Sequence, residues 1–121
     1  MTSLFATLKK TKKVTALQPS EELYNAAKEH AEYTGKKGLV GHQNVNTRFK
    51  KHAPGFSNPA ENCDYGSELA IDIVMSLLID EGVSDKGHRL NILDKEATHV
   101  GVSIAEHKQY DYTCVMDFGT K

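Results

Sequence analysis

Two histidines and two glutamates in this chain have the chemistry to hold a divalent metal ion: His42, Glu61, Glu81 and His88. Imidazole nitrogens and carboxylate oxygens are ordinary ligands of zinc, and a cation would neutralise clustered carboxylates that otherwise repel. Glu81 falls four residues past Leu77 and three past Leu78, on the apolar stripe of a predicted helix. A carboxylate buried there without a partner is costly, so either a cation meets it or it fans out into water from the last turn. Glu61 lies in Ala60-Glu61-Asn62, at the start of a predicted strand. It is either a functional acid or a loop acid at the domain rim. His42 follows Gly41 in a loop, and His88 sits between Gly87 and Arg89, where a tight turn aims it inward. The spacings among these four are long and match no compact metal signature, so spacing alone leaves the site open.

Other chemistries find less support. There is no His-Glu-x-x-His pair, no Cys-x-x-Cys, no Gly-x-Ser-x-Gly elbow and no phosphate-cradling glycine loop. Cys63 with His88 is the one nucleophile pair to consider, but a strand cysteine is more often a small buried hydrophobe. His30 reads as a hydrogen-bonded core histidine. His52, His99 and His107 read as structural or surface residues.

The elements that must position these groups follow from periodicity. Leu4, Phe5 and Leu8 predict a short first helix that fades near Thr11. Pro19-Ser20-Glu21-Glu22 is a helix start, a small polar cap followed by acids in the first turn. Its stripe is Leu23, Ala26, Ala27, His30 and Ala31, and Gly35 is expected to end it. A brief helix is expected from Asn46 to His52, capped by Asn46, and the stretch from Pro54 to Pro59 reads as loop. A strand is expected over Ala60 to Tyr65. Ser67 is expected to cap a helix whose stripe is Ala70, Ile73, Val74, Leu77 and Leu78, stopped by Gly82. Val100, Val102 and Ile104 then alternate against His99, Gly101 and Ser103. Tyr112, Cys114, Met116 and Phe118 alternate likewise against Thr113, Val115 and Asp117, with a hairpin loop over Glu106-His107-Lys108-Gln109. Helices first and an antiparallel pair last imply an α+β fold, helices packed on a small sheet.

Bulk properties narrow the function classes. At 121 residues a single domain is the expectation, 1–121, with enough length to build a core without staples. Fifteen Lys and Arg against sixteen Asp and Glu leave a net charge of -1, which argues against nucleic acid as the main partner. The cluster Lys9, Lys10, Lys12 and Lys13 reads as a solvated helix end, with a polyanion site as the alternative. No run of about 18 apolar residues exists to cross a membrane. No apolar signal-peptide core follows the N terminus, so the chain reads as cytoplasmic or as a domain trimmed from a longer precursor. Cys63 and Cys114 are too few for a disulfide scaffold, and whether they pair is open.

One set of motifs resembles a known family. These are Ala26-Ala27 with His30, Gly41-His42, Ala60-Glu61-Asn62, Tyr65-Gly66, and Leu78 through Val83. They continue through Gly87-His88-Arg89-Leu90-Asn91-Ile92-Leu93, His99-Val100-Gly101-Val102 and Asp117-Phe118-Gly119. Together they resemble the CAP superfamily (SCP-like), the group of cysteine-rich secretory proteins, antigen five and pathogenesis-related proteins, in its bacterial-style branch. The match runs in family order from about Leu17 to Gly119, and the Gly-His-Arg-x-Asn-Ile-Leu run carries most of it. The resemblance implies an α-β-α sandwich around a central antiparallel sheet, and a cavity lined by two His and two Glu. Matched by motif, those four fall on His42, Glu61, Glu81 and His88, which would hold zinc or another divalent cation. It also implies an extracellular or cell-surface location. The expected role is a monomeric binding or interaction module for a protein or small-molecule ligand of unknown identity. The alternatives are a metal-assisted, peptidase-like hydrolase with Glu61 or Glu81 as base, and a structural domain of a larger surface protein. The chain departs from the family in its shortened first helix, in Cys63 after Glu-Asn, and in having no Trp.

Overall fold

Ser20 does what its position predicts. Its backbone is extended (φ -130°), its hydroxyl accepts from the Leu23 N–H at 3.2 Å, and Glu21 and Glu22 follow in the first turn. In the computed structural model, which describes residues 2–80 and 87–121, this helix is α2. The described elements run α1 (Thr2–Lys10), β1 (Gln18–Pro19), α2 (Glu21–Lys37), α3 (Val45–His52), β2 (Ser57–Tyr65) and α4 (Ala70–Ile79). They close with α5 (Gly87–Ile92), β3 (His99–His107) and β4 (Asp111–Thr120).

The strands form one sheet in the order β1-β3-β4-β2. β4 is antiparallel to both β3 and β2, and only the two-residue β1 adds a parallel pairing, at Gln18 and Pro19. Alternate residues of β4 enter different cores. Val115 packs with Ala27, Ala31 and Cys63 beneath α2, whereas Cys114 packs with Ile73 and Leu77 of α4. Helices therefore cover both faces, the α+β sandwich expected. The same alternation keeps the cysteines apart. Cys63 pairs with Val115 and Cys114 with Asp64, and both thiols are free and buried.

Two glycines let α2 lie almost on the sheet backbone. A Cβ at Gly101 would collide with the Leu23 and Tyr24 backbone, and one at Gly35 with the Glu106 carbonyl. That contact corrects the expected helix end: Gly35 is a packing glycine inside α2, and Gly38, at φ 68°, caps the helix three residues later.

Other boundaries shift for local reasons. Asn44 (φ 57°), not Asn46, precedes α3. β2 begins at Ser57, within the expected loop, because an irregularity between Ser57 and Ala60, with Asn58 at φ 51°, carries Pro59 past the ladder. α4 starts at Ala70 with Leu69 at its cap and no side-chain cap bond, so Ser67 is not the cap. The hairpin turn lies at 108–110, two residues later than expected. α5 takes the place of a simple turn around His88. The expected stop at Gly82 lies outside the described residues.

The Gly-His-Arg-x-Asn-Ile-Leu run reads in three dimensions as a set of ties. Asp80 ends α4 in a left-handed conformation (φ 51°), and its carboxylate accepts from the His88 and Arg89 N–H groups and from His88 Nδ1 at 2.9 Å. Arg89, 2% exposed, donates to the Ile79 carbonyl at 2.7 Å and to the hydroxyls of Ser3 and Thr7 in α1. It satisfies carbonyls that the end of α4 leaves unpaired. Asn91 donates to Asn62 Oδ1 at 2.8 Å, and Asn62 donates to the His88 carbonyl at 3.0 Å. Ile92 packs against the Ile73–Leu77–Cys114 cluster.

Candidate functional site

Glu61 is the centre of the site, and it is a buried residue rather than a rim acid, its side chain only 2% exposed. The pleat of β2 sends Glu61 and Cys63 to one side of the strand, toward α2. Directly across from Glu61 on β4 lies Asp117, which is 0% exposed. Three further elements converge on Glu61. α3 supplies Arg48, whose Nη1 donates to Oε1 at 2.7 Å and whose Nη2 donates to Oε2 at 3.2 Å. The loop after α2 supplies His42, with Nδ1 2.7 Å from Oε2. α2 supplies His30, with Nε2 3.9 Å from Oε2.

The His42 loop is pinned from below. His30 Nε2 donates to the Gly41 carbonyl at 2.7 Å, and the Gly41 N–H donates to the Tyr65 hydroxyl at 3.0 Å. His107 Nε2 donates to the Leu39 carbonyl at 2.7 Å, and its ring meets Tyr65 edge-on at 5.5 Å. Gly41 takes φ 114°, which only glycine adopts without strain, so the loop can turn and expose His42 above Glu61.

Electrostatics divides the carboxyl groups into opposite roles. Burial pushes Glu61 upward, but the hydrogen bonds from His42 and Arg48 outweigh it and hold the group ionised, well below the usual carboxylate range. Asp117 goes the other way: burial raises it, and the neighbouring Glu61 raises it further. Neither Asp117 oxygen receives a hydrogen bond from any donor, and Arg48 Nη1 stands 3.7 Å away. Protonated, Asp117 is itself the donor, and Glu61 is the acceptor. The Glu61 bond raises His42, while burial lowers His30. Burial drives the Cys63 thiol far above its ordinary value, so it stays protonated and is a poor nucleophile.

Of the four residues singled out in the sequence, His42 and Glu61 meet. His88 bonds instead to Asp80, on the side of β2 that carries Asn62 and Asp64, and Glu81 lies outside the described residues. The donor group that does converge is His30, Glu61 and Cys63, whose ligand atoms all lie within 4.8 Å of one another. His42 Nδ1 adds a fourth donor, 3.7 Å from Cys63 Sγ. Two nitrogens, one carboxylate oxygen and one sulfur suit zinc; Glu61 Oε1 meets Arg48 Nη1, and Oε2 faces the imidazoles while also accepting from Arg48 Nη2 at 3.2 Å. The donor set fits a divalent cation on the Oε2 side, provided the Cys63 proton, the His42 Nδ1 proton now given to Glu61 and the His30–Gly41 hydrogen bond are given up.

The sequence reading gave neither Arg48 nor Asp117 a role in the site. Asp117 sits at an alternating strand position that reads as the wet face until both faces prove covered. Arg48 stands among Lys50, Lys51 and His52 in a polar helix, and nothing in that pattern marks it as inward.

The model of the cysteine-rich secretory protein (CAP) family matches residues 2–118. The chain belongs to that family. Three solved structures share its fold. An outer surface protein of Borrelia burgdorferi superposes with TM-score 0.75 at 20% identity, covering 98% of this chain and 85% of that one. An extracellular SCP-domain protein of Bacillus anthracis gives TM-score 0.73 at 19% identity, covering 89% of this chain and 35% of that one. A cysteine-rich secretory protein of Staphylococcus aureus gives 0.62 at 19% identity, covering 99% of this chain and 38% of that one. The chain thus spans little more than a third of the last two proteins. No curated protein sequence matches it significantly. Among the described residues no helix is long and apolar enough to cross a membrane.

Proposed function

We propose that this CAP domain is an extracellular or cell-surface binding module in which His30, His42, Glu61 and Cys63 can hold a divalent cation. The observation that carries the reading is the convergence of His30, Glu61 and Cys63 within 4.8 Å, with His42 bonded to Glu61 Oε2. A bound cation supplies charge to Glu61 Oε2 and order to the loop at His42. Arg48 keeps Oε1 neutralised in either state, so the site is stable without metal. The location and the module role rest on the extracellular and surface proteins that share the fold. Glu81 and His88, matched to the family cavity by motif, remain proposed further ligands.

Zinc titrated calorimetrically into metal-stripped protein tests this reading. One-to-one binding is expected, weakened at least tenfold by His42→Ala and by Cys63→Ser and unaffected by Glu29→Gln at the surface. Glu81→Gln and His88→Gln, run in parallel, show whether those two also contribute. Absence of heat, or binding indifferent to His42, Glu61 and Cys63, sinks the proposed ligand set.

A further inference from the structure

A second polar site lies on the other side of β2, between that strand, α4 and α5. It is a cavity of about 380 Å³, lined among others by Asp64, Ser76, Leu77, Ile79, Asp80 and His88. Asp64 is the anomaly in it. The residue is only 8% exposed, its Oδ1 accepts from the Ser76 hydroxyl at 3.0 Å, and its Oδ2 is buried with no hydrogen-bond partner. A buried polar atom left without a partner is uncommon, and here the residue that carries it lines a cavity.

Among the described residues, Asp64, Ser76 and His88 each offer an acceptor. The Ser76 proton is spent on Asp64, which leaves lone pairs on Oγ. His88 Nδ1 lies 2.9 Å from the Asp80 carboxylate and donates to it, so in the neutral ring Nε2 is the accepting nitrogen. Asp80 is already engaged by two backbone N–H groups and by His88. Among the described residues three acceptors thus remain for a ligand: Asp64 Oδ2, Ser76 Oγ and His88 Nε2. Leu77 and Ile79 supply an apolar wall.

We infer that this cavity binds a primary alkylammonium group, its three N–H donors answered by Asp64, Ser76 and His88 and its alkyl stem lying on Leu77 and Ile79. A bare metal ion suits the site less well. Asp64, Asp80 and His88 do not form a group with ligand atoms all within 4.8 Å, and the cavity is more than tenfold larger than the roughly 30 Å³ occupied by one water molecule. This inference uses none of His30, His42, Glu61 and Cys63 as a ligand; it shares with the cation site only His88, proposed there as a further ligand, and stands if the Glu61 site fails.

The test is an amide-resolved NMR titration of the folded protein with n-butylammonium chloride at neutral pH and fixed ionic strength, with sodium butyrate as control. Saturable shifts are expected for amides of β2, α4 and α5, with a Kd on the order of 1 mM. Asp64→Asn keeps the side-chain shape and is expected to weaken binding about tenfold or more, the loss of one charge-assisted hydrogen bond. Ser76→Ala is expected to weaken it several-fold, and the same spectra report whether each variant is folded. Wild-type protein without saturable shifts, equal shifts from butyrate, or a folded Asp64→Asn variant that binds as tightly would each overturn the inference. So would zinc chloride shifting the same amides more tightly and in an Asp64-dependent way, since that would assign the cavity to a metal.

Discussion

Replacing Arg48 with Met should cost far more than its place in a short polar helix suggests. Arg48 and Glu61 are 3% and 2% exposed, and the guanidinium donates twice to the carboxylate and once to the Gln43 carbonyl at 3.1 Å. Met fills a similar volume but leaves Glu61 buried with only His42 and the neutral Asp117 donor as hydrogen-bond partners. Removing one partner of a buried pair costs about 3–5 kcal/mol, most of it the penalty on the charge left behind. A domain of 121 residues has an unfolding entropy near its midpoint of about 250 cal/mol/K, so the loss amounts to a fall in Tm of about 12–20 °C. The double variant Arg48→Met, Glu61→Gln removes both charges and should recover most of that fall. Thermal and urea denaturation followed by circular dichroism, on wild type, both single variants and the double, gives the coupling energy directly. A single-variant cost below about 1 kcal/mol, the range of exposed ion pairs, would refute the reasoning, as would costs that simply add in the double variant.

Asp117→Asn should stabilise the domain increasingly with pH. The folded state holds a proton on Asp117 above the ordinary carboxylate range, so wild-type stability falls as pH rises through that window toward neutrality and beyond. The Asn variant keeps a donor toward Glu61 without that titration, so its urea midpoint should gain on wild type between about pH 5 and about pH 8, and a constant difference would contradict the protonated pair. Gly101→Ala should destabilise by about 3 kcal/mol or more, because the new methyl meets the backbone of Leu23 and Tyr24, which cannot turn aside; calorimetric unfolding measures it. Zinc should raise the Tm of wild type and not of His42→Ala, by about 2.7 kcal/mol of added stability at a hundredfold excess over Kd, read by differential scanning calorimetry.

The elements with strong local signals were legible in the chain. Ser20 and the stripe through Ala31 specified α2, and the alternation of 99–104 and 112–118 specified the hairpin of β3 and β4. Gly41-His42 and Glu61-Asn62 marked the half of the site that assembled, and the Gly-His-Arg-x-Asn-Ile-Leu run marked the family. Capping and period are properties of neighbouring residues, so they survive in one dimension. The roles of Gly35 and Gly101 do not, because a glycine that ends a helix and one that lets a helix touch a strand look alike in sequence. Nor does the partner of Glu61. The sequence left Glu61 as either a functional acid or a loop acid at the rim, with a metal as its partner if the family cavity formed; tertiary structure provides Arg48 from α3 at 2.7 Å and a protonated Asp117 across the ladder. Likewise His88, aimed at the same cavity by motif, is turned to Asp80 by the geometry of the α4 end. What the sequence determined was where charge and curvature had to be resolved. Which group resolved each depended on contacts between segments far apart in the chain, which only the packing of helices on both faces of the sheet brings together.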